Sequence, residues 1–353
     1  MHSHTLNIGG RLVGRGQPVY VVAEMSANHN GDYQQALHIL RAAKDAGADA
    51  VKLQTYTPDT MTINHAGEGF IVGKGTLWEG RNLYDLYAEA FTPWEWQKAL
   101  RDEAARLGLG FFSTAFDESA VDFLEDLKVP VHKVASFEIV DLPLIRKMAA
   151  TGKPLIMSTG MSTEAEVREA VETARTGGCG DLLLLKCTSA YPAPASEMNL
   201  ATMSALEETF DAAVGLSDHT MGHAVAIAAV ALGACMVEKH FTISRAIKGP
   251  DSAFSMEPAE FAEMVRAIRV AEAALGVVKY GAGEAEEKSK VFRRSLYVVR
   301  DVKAGETFTA ENVRAIRPGF GMHTRHLPEV LGQRAARDLA TGTPLDWSQV
   351  VRR

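Results

Sequence analysis

Between residues 18 and 277, short β-branched runs alternate eight times with helix-length segments, and few folds accommodate that rhythm. The runs are Val19–Met25, Ala50–Tyr56, Gly110–Phe116, Val131–Ser136, Pro154–Thr159, Asp181–Thr188, Ala213–His219 and Cys235–Phe241. Each is continuously apolar rather than alternating, as strands covered on both faces read. The stretches between them carry helical spacing. Phe261, Met264, Val265, Ile268 and Leu275 fall on one face, and Ser162-Thr163-Glu164-Ala165-Glu166 is a helix-start signal. Eight β/α units in about 260 residues predict an α/β fold, a closed (β/α)8 TIM barrel. A doubly wound sheet fits less well, because the first strand is not followed by the Gly-x-Gly-x-x-Gly turn of dinucleotide-binding folds.

The chain is 353 residues long, enough for about two domains. The rhythm predicts a barrel over 1–278 and a polar, Gly-bearing linker over 279–289. From 290 to 353, short strands and Gly turns predict a small β-rich domain. One connection is abnormally long: after Tyr56 the chain passes Trp78, Tyr84 and Tyr87 before the next helix near Pro93. Loops of this size are functional covers or braces on a rim. A net charge of −7 speaks against nucleic acid and anionic membranes as partners. No apolar run approaches the roughly 20 residues that span a bilayer. The first five residues lack the pattern of a signal peptide. Cys179, Cys187 and Cys235 form no CxxC pair, which predicts reduced thiols and a cytoplasmic location.

Two of the predicted strands end in histidine, His219 and His240. A barrel keeps its chemistry at the carboxyl ends of its strands, and two neutral imidazoles beside carboxylates suit a divalent metal with open positions. The plainer alternative is a pair of unrelated structural histidines. Lys52, Lys133 and Lys239 interrupt apolar strands, and a buried ammonium needs an anionic partner or ligand. All three fall on even-numbered strands, where inward lysines would form a pocket for phosphate or carboxylate. Alternation sets Lys239 apart, because it cannot share the face of adjacent His240. Hydroxyls cluster at the same rim: Ser113 and Thr114, Ser136, Ser158 and Thr159, Thr188 and Ser189, and Ser217. Such groups hold phosphate oxygens beside exposed backbone N–H groups, although any one of them is also an ordinary helix cap. The carboxylates are Glu24, Glu138, Asp218, Glu238 and Asp251. Glu24 and Glu238 suit proton transfer or support of a metal, while Glu138 and Asp251 read equally as surface ion pairs.

With these motifs in order, the chain resembles the sialic acid synthase family over nearly its whole length. The residues that carry the resemblance are Ala23-Glu24-Met25-Ser26-Ala27-Asn28-His29-Asn30-Gly31, Lys52-Leu53-Gln54-Thr55, Lys133-Val134-Ala135-Ser136, Ser158-Thr159-Gly160, Cys187-Thr188-Ser189-Ala190-Tyr191-Pro192, Ser217-Asp218-His219 and Glu238-Lys239-His240. Arg317-Pro318-Gly319 places the final domain with that family's antifreeze-like β-clip (SAF) module. The resemblance implies a transferase that condenses phosphoenolpyruvate with an open-chain amino-hexose and releases phosphate. Within the family, Gln54-Thr55-Tyr56-Thr57-Pro58-Asp59 and Leu77-Trp78-Glu79 point to a branch whose sugar is 2,4-diacetamido-2,4,6-trideoxy-L-altrose. The N-acetylneuraminate and legionaminic branches are the alternatives.

The resemblance also implies a metal at His219 and His240, manganese first, with cobalt or magnesium as alternatives. It implies phosphoenolpyruvate contacts at Lys52, Thr114, Lys133, Ser136, Ser158 and Ser217. Ser189 stands where the N-acetylneuraminate branch has a contacting Asn. Sugar contacts are implied at Glu138, Tyr191 and Asp251, with Glu138 also a proton-transfer group and Glu24 a carboxylate near the metal. Arg317 would reach into the partner's barrel in a domain-swapped homodimer. Rival readings are an aldolase forming a Schiff base on Lys133 or Lys186, and a non-catalytic carbohydrate-binding protein.

Overall fold

The eight apolar runs are strands, and they close on themselves. A computed structural model describes residues 4–351. After a hairpin of β1 (Thr5–Ile8) and β2 (Arg11–Gly14), the barrel comprises β3 (Tyr20–Glu24), β4 (Ala50–Thr55), β5 (Gly110–Ala115), β6 (His132–Val134), β7 (Leu155–Ser158), β8 (Leu182–Cys187), β9 (Ala213–Asp218) and β10 (Met236–His240). Neighbouring strands are parallel in chain order, and β10 returns to pair with β3, His240 beside Glu24. The expected TIM barrel is therefore present.

The helices are α1 (Tyr33–Asp45), α2 (Pro58–Met61), α3 (Leu83–Ala90), α4 (Trp94–Arg106), α5 (Glu118–Asp126), α6 (Leu142–Ala149), α7 (Glu164–Thr176), α8 (Thr202–Phe210), α9 (Ala224–Ala231) and α10 (Pro258–Leu275). Local signals start several of them: Asp32 accepts from the backbone N–H groups of Gln34 and Gln35, and Thr163 and Glu166 form a capping box. Strand residues such as Val21, Val51 and Val237 form one continuous core with helix residues such as Ile39, Leu100 and Phe261.

The opposite strand faces make a second cluster, in which Tyr20, Val22, Ala50, Phe112, Ile156, Leu183 and Met236 fill the barrel interior. Leu6, Ile8 and Val13 of the hairpin belong to that same cluster, so β1 and β2 plug the amino-terminal end of the barrel. Further along seven of the eight strands the inward positions turn ionic or hydroxylic, at Glu24, Lys52, Thr114, Lys133, Ser158, Ser217 and Glu238, while β8 continues apolar with Leu185. All of these are buried. Strict alternation keeps these groups inside and sends their neighbours to the helices. The interior is thus apolar at its base and charged at the carboxyl ends of the strands.

The chain divides into two units, Met1–Gly276 and Val277–Arg353. From within the expected linker and past its end, residues 284–287 and 288–292 wind into short helical turns, and glutamates in the first turn of the former complement the helix dipole. The second unit pairs β11 (Ser295–Val298) with β12 (Val313–Ile316) and β13 (Arg334–Ala335) with β14 (Val350–Val351), all antiparallel. Its own core includes Leu296, Val298, Phe308, Val313 and Leu345. Among the described residues, no helix is long and apolar enough to cross a membrane, and the three cysteines are free thiols.

Candidate active site

At the carboxyl ends of β3, β4, β6 and β10, two lysines and two glutamates interlock. Lys52 Nζ lies 3.1 Å from Glu24 Oε2 and 2.9 Å from Glu238 Oε1, and donates to Thr114 Oγ1 at 3.3 Å. Lys133 Nζ donates to Ser158 Oγ at 2.7 Å and lies 3.6 Å from Glu238 Oε2. Ser217 Oγ donates to Glu238 Oε1 at 3.4 Å. Burial resists charging each of these groups, and the neighbours decide the outcome. Lys52 stays firmly protonated because Glu238 and Glu24 outweigh its burial. Glu238 is held at about 2, its burial outweighed by Lys133 and Lys52. Burial lifts Glu24 to about 7 despite Lys52, and drops Lys133 to about 8 despite Glu238. Near neutrality the cluster therefore carries excess positive charge, which an incoming phosphate or carboxylate would neutralise.

His219 and His240 stand beside this cluster with ring centroids 5.3 Å apart. The Nδ1–H of His219 donates to the Thr188 carbonyl at 2.9 Å, which leaves Nε2 as the nitrogen with a free lone pair. Burial at that ring opposes protonation, but Cys187 and the Thr188 carbonyl outweigh it and raise its pKa above the ordinary imidazole value. His240 is held neutral, chiefly by burial and then by the charge of His219. Its buried Nδ1 makes no hydrogen bond, nor do the buried Glu24 Oε1 and Glu238 Oε2, and such orphaned groups call for a ligand. Among the described residues no cluster of three or more His, Cys, Asp or Glu forms a metal cage. Two histidines with orphaned polar atoms around them fit a cation that keeps several positions open.

Toward the rim, the Tyr191 ring stacks 4.3 Å from His219, 5.6 Å from Trp78 and 5.0 Å from Phe254. These aromatics border a cavity of about 450 Å³ whose lining includes His240, Glu138, Asp251, Gln54, Ser26 and Tyr56. Its other wall comes from the long connection between β4 and α4: Met61, Val72, Leu83, Leu86 and Ala90. The Trp78 indole N–H anchors that strap by donating to the Pro250 carbonyl at 2.9 Å. The strap therefore lines the cavity as well as bracing the rim. Burial raises Glu138 to about 7, and it raises Asp251 against the hydrogen bond from Ser26.

The fold brings most of the expected residues together. Ser136 Oγ accepts from the Gly160 N–H at 3.1 Å, and a Cβ added at Gly160 would sit 2.3 Å from Ser189 Oγ and 2.7 Å from Ser136 Oγ. The two serines thus converge on a backbone that only glycine fits. Arg317 lies in the second unit, directly after β12. Lys239 turns away from the pocket: its Nζ pairs with Asp218 Oδ2 at 2.7 Å and donates to the Thr220 carbonyl, as alternation requires. Lys186 also points outward, lining a separate cavity with Thr159, Asn199 and Phe210, which removes it as a Schiff-base candidate at this site. Sequence reasoning did not single out Ser26, Gln54, Trp78 or Phe254 as cavity residues. Ser26 and Gln54 stood within the family motifs and Trp78 within the long connection, while Phe254 gave no advance signal.

The comparisons with known proteins agree with this geometry. The SAF domain matches residues 293–351. The chain is 46% identical to the pseudaminic acid synthase of Helicobacter pylori, covering 95% of this chain and 99% of that protein. It is 37% identical to the N,N'-diacetyllegionaminic acid synthase of Legionella pneumophila, covering 96% of each. The crystal structure of an N-acetylneuraminic acid (sialic acid) synthetase from Leptospira borgpetersenii, in complex with citrate, superposes with a TM-score of 0.72. It is 28% identical and covers 81% of this chain and 95% of that one. With its barrel matching over residues 39–280 and near full-length relatives of this kind, the chain belongs to the NeuB family.

Proposed function

We propose that this member of a family of sugar-acid synthases condenses phosphoenolpyruvate with 2,4-diacetamido-2,4,6-trideoxy-L-altrose and water, giving pseudaminic acid and phosphate. The observation that carries the reading is the buried Lys52–Glu24–Glu238–Lys133 cluster, whose Glu24 lies in register with His240, a residue that lines a cavity walled on one side by apolar side chains. The charged end suits a phosphorylated carboxylate, and the apolar wall suits a sugar bearing a methyl and two acetyl groups. Identity of 45–46% to three proteins named pseudaminic acid synthase supports this sugar over the legionaminic one.

In this reading C3 of phosphoenolpyruvate forms a bond to the aldehyde carbon, and the aldehyde oxygen takes up a proton. Water then adds to C2 and gives up a proton, and the C2–O bond to phosphate breaks as the C2 carbonyl forms and the remaining hydroxyl proton passes to the leaving phosphate. Lys52 and Lys133 neutralise the phosphate and carboxylate, while the hydroxyls of Thr114, Ser136, Ser158, Ser189 and Ser217 orient their oxygens. Glu138, with its carboxyl held at about 7, is suited to hand the proton to the new hydroxyl. Glu24, held at about 7 as well, is suited to take the proton from water. Tyr191 and Asp251 hold the sugar. His219 and His240 would hold a divalent ion, manganese first among the candidates, and that ion supplies Lewis-acid polarisation of the aldehyde. We further read the protein as a cytoplasmic homodimer in which Arg317 completes the partner's site.

The test is phosphate release from phosphoenolpyruvate with Mn²⁺, using the diacetamido-trideoxy altrose, N-acetylmannosamine and the legionaminic precursor in parallel. Release with the altrose sugar alone, abolished by EDTA, is the expected result. Release with another sugar corrects the substrate, and release by none overturns the enzyme reading.

A further inference from the structure

Six non-glycine residues among those described have positive φ: Ser26, Asn30, Lys128, Met161, Asn199 and Asp211. Asn and Asp tolerate this region, and Lys128 and Met161 are exposed. Ser26 is the one that is buried, with 1% exposure and φ of 49°. A Cβ in the left-handed region is disfavoured, and glycine escapes the penalty. The side chain of Ser26 must therefore do something that glycine cannot.

Its hydroxyl donates to Asp251 Oδ2, which also accepts from the Ala27 N–H at 3.3 Å. The Ser26 hydroxyl oxygen in turn accepts from Gln54 Nε2 at 3.2 Å. A serine hydroxyl has one proton. Once that proton goes to the carboxylate, Gln54 can only donate to Ser26, and the orientation of its amide is settled. Gln54 Oε1 is then the acceptor that its amide leaves for a ligand. Both hydrogen bonds to the carboxylate fall on Oδ2, so Asp251 Oδ1 remains as a second acceptor. Ser26, Gln54 and Asp251 all line the same cavity.

We propose that Ser26 is a positioning residue for sugar recognition, held in a strained backbone so that its hydroxyl sets Gln54 and Asp251 as two fixed acceptors. Those acceptors select a sugar that presents two donors, an amide N–H and a hydroxyl. The proposal rests on the synthase reading above and names the part of the site that reads the sugar.

The experiment compares Ser26→Ala with Ser26→Gly in steady-state phosphate release, varying the diacetamido-trideoxy altrose and phosphoenolpyruvate separately. Both variants lose the hydroxyl, and only the alanine keeps the Cβ. Both should raise the sugar KM about tenfold, the size of one or two lost hydrogen bonds. The KM for phosphoenolpyruvate should stay within about twofold in each. The glycine variant should melt about 2 °C above the alanine variant, because it relieves the strain. Unchanged sugar KM in both variants overturns the proposal while leaving the synthase reading intact. Loss in the alanine variant with full recovery in the glycine variant also overturns it, since backbone shape would then be the cause. If the unsubstituted protein releases no phosphate with this sugar, the synthase reading fails for it, and the proposal falls with it.

Discussion

Glu138 is a carboxyl whose buried environment resists its charge at the expense of stability. Burial holds it at about 7 in the folded chain, against an ordinary value near 4.5. Between those two values the folded state binds the extra proton, so stability falls as pH rises through that window and stays low above it. Glu138→Gln has no charge to bury. The variant should match the parent near pH 4.5 and exceed it by about 1–2 kcal/mol at pH 8, after allowance for partial exposure. Urea titrations at the two pH values measure this. The same substitution should lower the rate of phosphate release at least tenfold, by removing the proton that the new hydroxyl needs. A stability difference between variant and parent that is the same at both pH values would mean that the carboxyl titrates normally. Glu238 illustrates the opposite sign. Lys133 and Lys52 hold it at about 2 against its burial, so its contribution is complete above about 4.5 and is lost as pH falls toward 2.

Among the structural elements, the strap between β4 and α4 has the clearest functional consequence. Its contacts include the Trp78 indole to the Pro250 carbonyl and the Trp78 ring to Tyr191, while the Tyr84 hydroxyl to Asp59 closes the strap on itself. Trp78→Ala removes the first two. It should raise the sugar KM about tenfold while the KM for phosphoenolpyruvate, bound deeper among the lysines, hardly changes. Melting temperature should move by no more than about 2–3 °C, since the barrel core lies elsewhere. Equal losses for both substrates would place the strap over the whole pocket rather than its sugar end. The β1–β2 hairpin is the structural counterpart at the other mouth. Leu6, Ile8 and Val13 close the apolar base, and this separation lets the charged end of the barrel be assembled without water entering from below.

For the whole molecule, the residue to watch is Arg317, which lies in the second unit while every other candidate lies in the first. If each barrel takes Arg317 from its partner, two inactive variants should rescue one another. Mixed Arg317→Ala and Glu24→Gln protomers would form a heterodimer with one site free of both substitutions. Statistical exchange then restores about a quarter of the parental phosphate release. Mixing that restores nothing, with heterodimers verified by mass, would place Arg317 in its own barrel or outside the site. Much of this architecture was legible in one dimension. The eight continuous apolar runs announced the barrel, because strands buried on both sides have no polar face to show. The charges within those runs marked the pocket, because period-two alternation carried Lys52 and Lys133 inward and Lys239 outward. Other features depended on closure. The left-handed turn at Ser26 has no local signature, and its partner Asp251 is 225 residues away in the chain. Nor does any local pattern bring Trp78 to Tyr191 or the hairpin to the barrel base. The sequence alone thus determined which residues are strands and which strand positions face inward, since both follow from short-range periodicity. Tertiary structure decided which inward groups meet, because β10 pairs with β3 only when the whole sheet has curled round to bring His240 beside Glu24.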